Sequence, residues 1–321
     1  MLQTDYTYAV ARIRANETSL LTKSDIEQLV AADGYPAAVR LLTDRGWKEP
    51  DENSVYDICE TELAGAWNLI TESIPDRNIL DALVIGNDFA NLKAAIKAGF
   101  YKAQAENYMT SPCLCDPETI IQAVREADFS LLPDYLAECA DKAYHAYTEK
   151  QSGQLTEMII DKACLSARQE YAAKSESPLL GKITDIICAV SDIKTARRCV
   201  TTGKTKEFAL DALSGCGKID GVRLADAAYA NEKLAPVIAE AGLDEIAEYA
   251  DSDFTALEMK CDNFITDMIK SSKYEVFGPD PVIAYYYAKI AEVKNVRIIL
   301  SAKASGVPVD IISQRVREIY V

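Results

Sequence analysis

The sequence of 321 residues contains a single histidine, His145, and has no uncharged apolar run close to the roughly 20 residues that span a bilayer. One histidine excludes histidine-rich metal sites and any catalytic triad that needs another histidine. The polar neighbours of His145, DKAYHAYTEK, predict a surface position. The opening MLQTDYTYAVARIRA also lacks the basic-then-apolar order of a signal peptide. We therefore expect no leader, no membrane-spanning segment and no histidine-based chemistry.

Basic residues are scarce relative to acidic ones, 34 against 50, which gives a formal net charge of −16. Such a field repels nucleic acid, so we expect no nucleic-acid partner. The nine cysteines are scattered and form no repeated C-x-x-C pairs, which is typical of reduced thiols in a cytoplasmic protein. Cys113 and Cys115 are too close in sequence for the common zinc pairs. We expect no metal and no cofactor.

The tripeptide Gly203-Lys204-Thr205 is similar to the end of a phosphate-binding loop. That loop needs a glycine five positions before Gly203, where this chain has Arg198. Without that glycine the backbone cradle for phosphate is missing. We interpret this segment as the C-terminus of a helix with a solvated lysine.

Helical patterns dominate the chain, and no segment shows a convincing strand alternation. Ser24 and Glu27 have the spacing of a capping box, and Gly34 and Gly46 are typical of helix ends. Residues 53–73 place apolar side chains at helical spacings. These patterns predict an all-α fold.

An internal repeat is the most informative feature of the sequence. Three segments carry an acid, then Asn or Thr at the third following position, then Lys or Arg at the fifth. The repeated polar motif comprises Asp88, Asn91 and Lys93, then Asp192, Thr195 and Arg197, then Glu292, Asn295 and Arg297. A proline precedes each acid (Pro75, Pro178, Pro281), a glycine follows it (Gly99, Gly203, Gly306), and a short helical pattern comes next (116–128, 219–229, 308–320). Each copy is therefore predicted to be one long helix followed by a short one.

The apolar positions of the repeated helix predict its buried face. They are Ile85, Phe89, Leu92 and Ile96 in the first copy, Ala189, Ile193, Ala196 and Val200 in the second, and Val293, Val296 and Leu300 in the third, where Lys289 occupies the first position. On this pattern the acid and the base point away from the core. We interpret them as a polar edge that ties one helical unit to the next, ahead of an interface role and far ahead of catalysis.

Charge is distributed unevenly along the chain. Residues 282–321 carry six basic and three acidic side chains, and residues 192–206 are also basic. One interpretation is that these bases meet acidic groups on a partner, and the other is that they are solvated charges on helix faces. The candidate partner-facing residues are Lys194, Arg198, Lys204, Lys294 and Lys303.

Three segments of the sequence resemble one known family. These are residues 274–321 (YEVFGPDPVIAYYYAKIAEVKNVRIILSAKASGVPVDIISQRVREIYV), the stretch Asp88-Phe89-Ala90-Asn91-Leu92-Lys93, and the opening YTYAVARIRANETSLLTKSDIEQLV. They resemble the C subunit of V/A-type ATPases and ATP synthases, a family that includes the membrane-sector d subunit of the V-ATPase. Two positions depart from the pattern: Ala90 stands where the family often has His, and Thr195 stands where the other copies have Asn.

The resemblance implies a funnel-shaped body of three similar helical units with pseudo-threefold symmetry. It also implies a non-catalytic rotor subunit that couples the central stalk, made of the D and F subunits, to the membrane proteolipid ring. Such a protein would be one monomer in a hetero-oligomeric complex, held by its partners at the cytoplasmic face of the membrane. It would carry torque in ion transport or ATP synthesis and would have no catalytic residues.

The repeat predicts three segments within one compact body, at 1–130, 131–230 and 231–321. One alternative is a helical-repeat scaffold that binds other proteins, although its repeats usually run about 20 to 50 residues. The other is a soluble all-α enzyme, which would need paired acids at metal-ligand spacing.

Overall fold

The computed structural model of the chain describes residues 6–48, 54–74 and 76–321. These residues form helices and no strand, which confirms the all-α prediction. The α-helices are α1 (Thr7–Glu17), α2 (Lys23–Ala31), α3 (Gly34–Asp44), α4 (Val55–Ser73), α5 (Arg77–Tyr101), α6 (Pro117–Glu126), α7 (Asp134–Thr148), α8 (Gly153–Lys174), α9 (Pro178–Thr201), α10 (Lys206–Ala212), α11 (Gly221–Tyr229), α12 (Ala235–Glu240), α13 (Asp244–Ala247), α14 (Phe254–Lys270), α15 (Asp280–Ala304) and α16 (Val309–Ser313). Short 3-10 helices cover Ala105–Tyr108, Phe129–Leu131 and Ser271–Tyr274. None of the helices in these ranges is both long and apolar enough to cross a bilayer.

The chain divides into two compact units. One comprises the described residues up to Asp76 together with Glu258–Val321, and the other comprises Arg77–Leu257. The termini share a unit because α15 packs against α1, α2, α3 and α4. The predicted division into three sequence segments cuts the chain at other places and stays a prediction.

In the unit of residues 77–257, α5 packs against α6, α7 and α8, and α9 packs against α8, α10 and α11. Phe89, Leu92 and Ile96 of α5 are buried, together with Ile120 of α6 and Ile160 of α8. In the other unit the core joins both ends of the chain. It contains Leu29 and Leu42 near the N-terminus, Ile58 of α4, and Val296 and Leu300 of α15.

Most of the predicted helix faces are confirmed. Every predicted apolar position of the first and third copies is buried, and so are Ala189, Ile193 and Ala196 of the second copy. The predicted burial of Val200 is wrong, since this residue lies at the exposed end of α9 with 40% of its surface accessible. Of the predicted following helices, α6 and α11 match, whereas α16 ends at Ser313, before the predicted stretch is complete.

The helix ends agree with the sequence signals only in part. Pro178 and Pro281 lie in the first turns of α9 and α15, and Gly203 and Gly306 take positive φ angles just beyond the same helices, as predicted. Pro75 lies outside the described residues. Gly99 is inside α5, and the turn beyond that helix is made instead by Lys102 at φ +54°.

The predicted capping box at Ser24 and Glu27 is wrong by two residues. Thr22 is the N-cap of α2: its hydroxyl accepts a hydrogen bond from the amide of Asp25, whose carboxylate accepts one from the amide of Thr22. Asp25 is buried and also pairs with Arg45. This contact favours the capping box of Thr22 and Asp25 over the box of Ser24 and Glu27, both of which are exposed. Gly46 follows the end of α3 as predicted, but Gly34 begins α3.

Candidate functional site: a buried acid clamp present in three copies

The acids of the repeated motif are buried, so the prediction that they point away from the core is wrong. Asp88 is 0% exposed, and Asp192 and Glu292 are each 3% exposed. A buried carboxylate is tolerated only where donors satisfy its oxygens. In all three copies these donors include a backbone amide from a segment outside the repeated helix.

Asp88 of α5 holds the loop that precedes α6. Its two carboxylate oxygens accept hydrogen bonds from the amide of Leu114 at 2.9 Å and the amide of Cys115 at 3.1 Å. The hydroxyl of Tyr135, on α7, donates to the same carboxylate. Burial raises the pKa of Asp88, and these three donors partly oppose the rise.

Asp192 of α9 holds the loop before α11 in the same manner. It accepts from the amide of Ser214 at 2.8 Å and from the hydroxyl of Ser214 at 2.7 Å. Burial raises the pKa of Asp192, while the two bonds from Ser214 act in the opposite direction. The second copy, the weakest match to the pattern in the sequence, therefore keeps the clamp.

Glu292 of α15 reaches the other end of the chain. It accepts from the amide of Leu21 at 2.7 Å, between α1 and α2. Its second partner is Lys289, whose ammonium lies 2.6 Å from Glu292 and 2.9 Å from Glu62 of α4. The same ammonium lies 5.0 Å from the centre of the Trp47 ring. This copy therefore fastens the N-terminal helices to α15.

The pKa values of this cluster follow from its charges. Burial alone would lower the pKa of Lys289, but the carboxylates of Glu292 and Glu62 outweigh it and raise that pKa. Burial raises the pKa of Glu292 even though Lys289 stabilises its charged form. Two carboxylates share one ammonium, so the cluster has a surplus negative charge in a buried site.

The asparagines of the motif form a second clamp. The amide group of Asn91 donates to the carbonyl of Thr110 at 3.0 Å, and its oxygen accepts from the amide of Thr110 at 2.7 Å. Asn295 makes the same double contact with Arg317, at 3.1 and 2.8 Å. Thr195 lacks a side-chain amide and cannot pair with a peptide group in both directions.

The bases of the motif bind structural partners as well. Lys93 pairs with Asp161 of α8, and Arg297 lies 3.4 Å from Glu60 of α4. Arg197 donates to the carbonyls of Ala250 and Ser252 and stacks 4.7 Å from the centre of the Phe254 ring. Each base therefore contacts a predicted sequence segment other than its own. These contacts agree with a polar edge between segments, to which the buried acids Asp88 and Glu292 also contribute through Tyr135 and Leu21.

The five candidate partner-facing residues divide into two groups. Lys294 pairs with Asp262, and Lys303 donates to the carbonyls of Val30 and Ala32 at the C-terminus of α2. Lys194 is half-buried and engaged in a contact of its own. Arg198 is exposed, and the ammonium of Lys204 lies 5.4 Å from the Phe208 ring, so these two are the candidates best placed to meet a partner.

The other motifs noted in the sequence have ordinary structural positions. His145 is exposed between Asp141 and Glu149 on α7, as predicted. Gly203 follows the end of α9, and the hydroxyl of Thr205 caps α10, which confirms the helix-end interpretation of that tripeptide. Within the described ranges no group of three histidine, cysteine or acidic side chains is arranged to hold a metal ion.

Nothing in the sequence directly indicates the clamp partners Leu21, Leu114 and Ser214. They lie 22 to 271 residues from their acids, and each donates through its backbone amide, which every residue except proline carries. The one signal that could have found a clamp is Lys289, a cation on an otherwise apolar face, because a buried cation requires an acid nearby.

Comparison with known proteins places these features in a family. The family description "ATP synthase (C/AC39) subunit" matches residues 9–315. The chain is 21% identical over 319 residues to the C subunit of the V-type sodium ATPase of Enterococcus hirae, covering 96% of this chain and 97% of that protein. It is 23% identical over 345 residues to the C subunit of the A-type ATP synthase of Methanocaldococcus jannaschii, covering 93% and 82%. The chain therefore belongs to the ATP synthase (C/AC39) subunit family, which contains the C subunits of V/A-type rotary ATPases.

Proposed function

We propose that this chain is a non-catalytic rotor subunit that couples the central stalk, made of the D and F subunits, to the membrane proteolipid ring. It carries torque between them at the cytoplasmic face of the membrane and is held there by its partners. The observation that carries the proposal is the family match over residues 9–315, together with two relatives that are covered over most of their length. One relative is named as the C subunit of a V-type sodium ATPase, and the other as the C subunit of an A-type ATP synthase.

The internal contacts support a mechanical role. A body that transmits torque must be stiffer than the interfaces that load it. Three buried acids and two asparagines fasten loops and chain ends to long helices. Three bases add pairs between segments that are distant in sequence. Such cross-links resist the separation of neighbouring helices under shear.

The pseudo-threefold, funnel-shaped arrangement belongs to the same proposal. The repeated long helices α5, α9 and α15 all carry the acid clamp, which supports three related units. In this arrangement the exposed Arg198 and the half-buried Lys204 meet acidic groups of the stalk, where complementary charge fixes the orientation of the two bodies.

Reconstitution tests the proposal. The purified chain is mixed with the D/F stalk pair and with detergent-solubilised proteolipid ring from the same organism, and complexes are separated by gel filtration. We expect one ternary complex that contains all three components. A chain that joins neither the stalk nor the ring would exclude the coupling role.

A discriminating control uses unrelated acidic helical proteins. A general protein-binding scaffold would bind these unrelated proteins even when the stalk and the ring are absent. A coupling protein would bind the stalk and the ring and leave the unrelated proteins unbound. ATP hydrolysis by the isolated catalytic head is measured in parallel and should not change when the chain is added.

A further inference from the structure

One loop of the unit formed by the chain ends exposes three large apolar side chains next to one another. Tyr274, the last residue of the final 3-10 helix, is 88% exposed, and in the stretch between that helix and α15 Val276 is 60% and Phe277 53% exposed. We call these three side chains the apolar loop. Large apolar groups that stand together in solvent mark interaction sites more often than isolated ones do.

The backbone beneath the apolar loop is held firmly. The guanidinium of Arg14, on α1, donates to the carbonyl of Ser272 at 2.6 Å and to the carbonyl of Glu275 at 3.0 Å. Arg14 is itself fixed by Glu17 at 2.7 Å, and Glu17 also accepts from the hydroxyl of Tyr320 at 3.0 Å. The loop is therefore tied to both the first helix and the C-terminal residues of the chain.

The two ends of the loop are fixed as well. Ser272 is buried, and the ammonium of Lys273 lies 4.6 Å from the centre of the Tyr320 ring. Gly278 turns the chain into α15 at φ +85°, a conformation that other residues rarely adopt. A loop ordered in this way loses little conformational entropy when its side chains are captured, which favours binding.

The local charge indicates what kind of surface covers the loop. The bases nearby, Arg14 and Lys273, are engaged with the protein itself. Glu275 is exposed between Tyr274 and Val276, and its pKa is raised by partial burial and then by the like charge of Asp280. A cation placed beside these carboxylates would be stabilised.

We propose that the apolar loop is a docking element for a protein component of the rotary assembly, one that offers an apolar pocket bordered by Lys or Arg. The proposal rests on the proposed function, since it identifies a surface through which this chain joins its complex. An anionic bilayer is a poor occupant, because it would be repelled by the loop carboxylates and by the net charge of −16.

The test compares the full-length chain with the triple variant Tyr274→Ser, Val276→Ser, Phe277→Ser. Binding of each to immobilised D/F stalk and to detergent-solubilised ring is measured by biolayer interferometry. We expect the triple variant to bind one of these two components about thirtyfold more weakly, as for the loss of a hot-spot cluster. The component that is affected is the one that carries the pocket.

The matched control removes equally exposed aromatics from the other unit. Tyr101 and Tyr108 are 76% and 60% exposed, and the pair Tyr101→Ser, Tyr108→Ser should bind within about threefold of wild type. The variant Glu275→Lys keeps the apolar side chains and should slow association with the same component, because it places a cation against the pocket border.

Three outcomes overturn the docking element. In the first, the triple variant remains folded by circular dichroism and binds both components within about twofold of wild type. In the second, wild type but not the triple variant binds vesicles of anionic phospholipid, which makes the occupant a membrane. In the third, wild type binds neither component, and the proposed function fails together with the docking element. In the first two cases the proposed function stands.

Discussion

The guanidinium of Arg168 on α8 lies directly over Gly86 of α5, so close that a β-carbon on Gly86 would overlap Nη2. The absence of a side chain at Gly86 therefore makes room for Arg168 where α5 and α8 pack. A glycine inside a helix normally costs about 1 kcal/mol relative to alanine. At Gly86 this cost is accepted because a side chain there would displace the guanidinium of Arg168.

A double-mutant cycle at Gly86 and Arg168 should show coupling. Gly86→Ala alone should be neutral or destabilising, because the guanidinium must swing away from its site. In an Arg168→Ala background the same change should stabilise the protein by about 1 kcal/mol, the ordinary gain in helix propensity. Free energies of unfolding come from urea transitions followed by circular dichroism.

The control for this cycle is Gly65, inside α4, where an added β-carbon meets nothing within 4 Å. Gly65→Ala should stabilise the protein by the same amount in both backgrounds, since it does not share a contact with Arg168. Equal effects of Gly86→Ala with and without Arg168 would mean that the close approach has no energetic consequence.

Removal of the Asn91 clamp should destabilise the protein by about 1–3 kcal/mol per peptide group left without a partner. Asn91→Ala leaves both the amide and the carbonyl of Thr110 without this side chain. Thr195→Ala, at the equivalent position of the second copy, should cost less than about 1 kcal/mol because it breaks no such pair. Urea unfolding of the two variants compares them directly, and similar losses would contradict the clamp.

The pH dependence of stability should reveal the raised pKa of Asp192. A carboxyl group whose pKa is higher in the folded than in the unfolded state stabilises the fold below the unfolded value, about 4, and loses this contribution as the pH rises through the folded value. Wild type should therefore gain stability relative to Asp192→Asn as the pH is lowered from neutral towards the unfolded pKa. Asparagine keeps an acceptor for the amide of Ser214 and a donor for its hydroxyl, so the variant should fold.

The measurement is the difference in unfolding free energy between wild type and Asp192→Asn at several pH values. A difference that shifts in favour of the variant as the pH falls would show that the bonds from Ser214 lower the pKa of Asp192 below its unfolded value. The exposed acid Glu138 provides the comparison, because Lys142 lowers its pKa and its contribution should weaken with acidification.

Loss of the Lys289 ammonium should be among the most damaging changes in the chain. Lys289→Met leaves Glu292 and Glu62 without their shared cation, and breaking a buried ion pair costs about 3–5 kcal/mol. The loss should shrink as the pH is lowered from neutral, because a raised pKa allows Glu292 to take up a proton in place of the missing cation. Lys142→Met, which removes an exposed pair, should leave the unfolding free energy nearly unchanged over the same pH range.

Arg197 and Arg198 are adjacent in sequence but should respond to different tests. Arg197→Glu should lower the unfolding free energy by at least about 2 kcal/mol, because its guanidinium bonds the carbonyls of Ala250 and Ser252. Arg198→Glu combined with Lys204→Glu should leave stability within about 1 kcal/mol and weaken stalk binding. Unchanged stalk affinity in the second variant would remove these bases from the interface.

Helical periodicity is sufficient to predict most core positions of the repeated helices, because burial on a helix recurs at a fixed spacing. The same rule misplaces Asp88, Asp192 and Glu292, since it assigns charged residues to solvent. Their burial depends on amides from distant loops, and a backbone amide has no signature in a sequence. The predicted capping box is wrong for a related reason: two registers fit the pattern, and the tertiary partner Arg45 favours one of them.

The clamps give four loop amides an unusual property. Amides outside helices ordinarily exchange their hydrogens with solvent readily, yet those of Leu21, Leu114, Cys115 and Ser214 are bonded to buried carboxylates. Their deuterium uptake therefore depends on the opening of the long helices and not on the motion of the loops around them. Slow-exchanging amides at these positions would mark where the irregular segments move as part of the helical body.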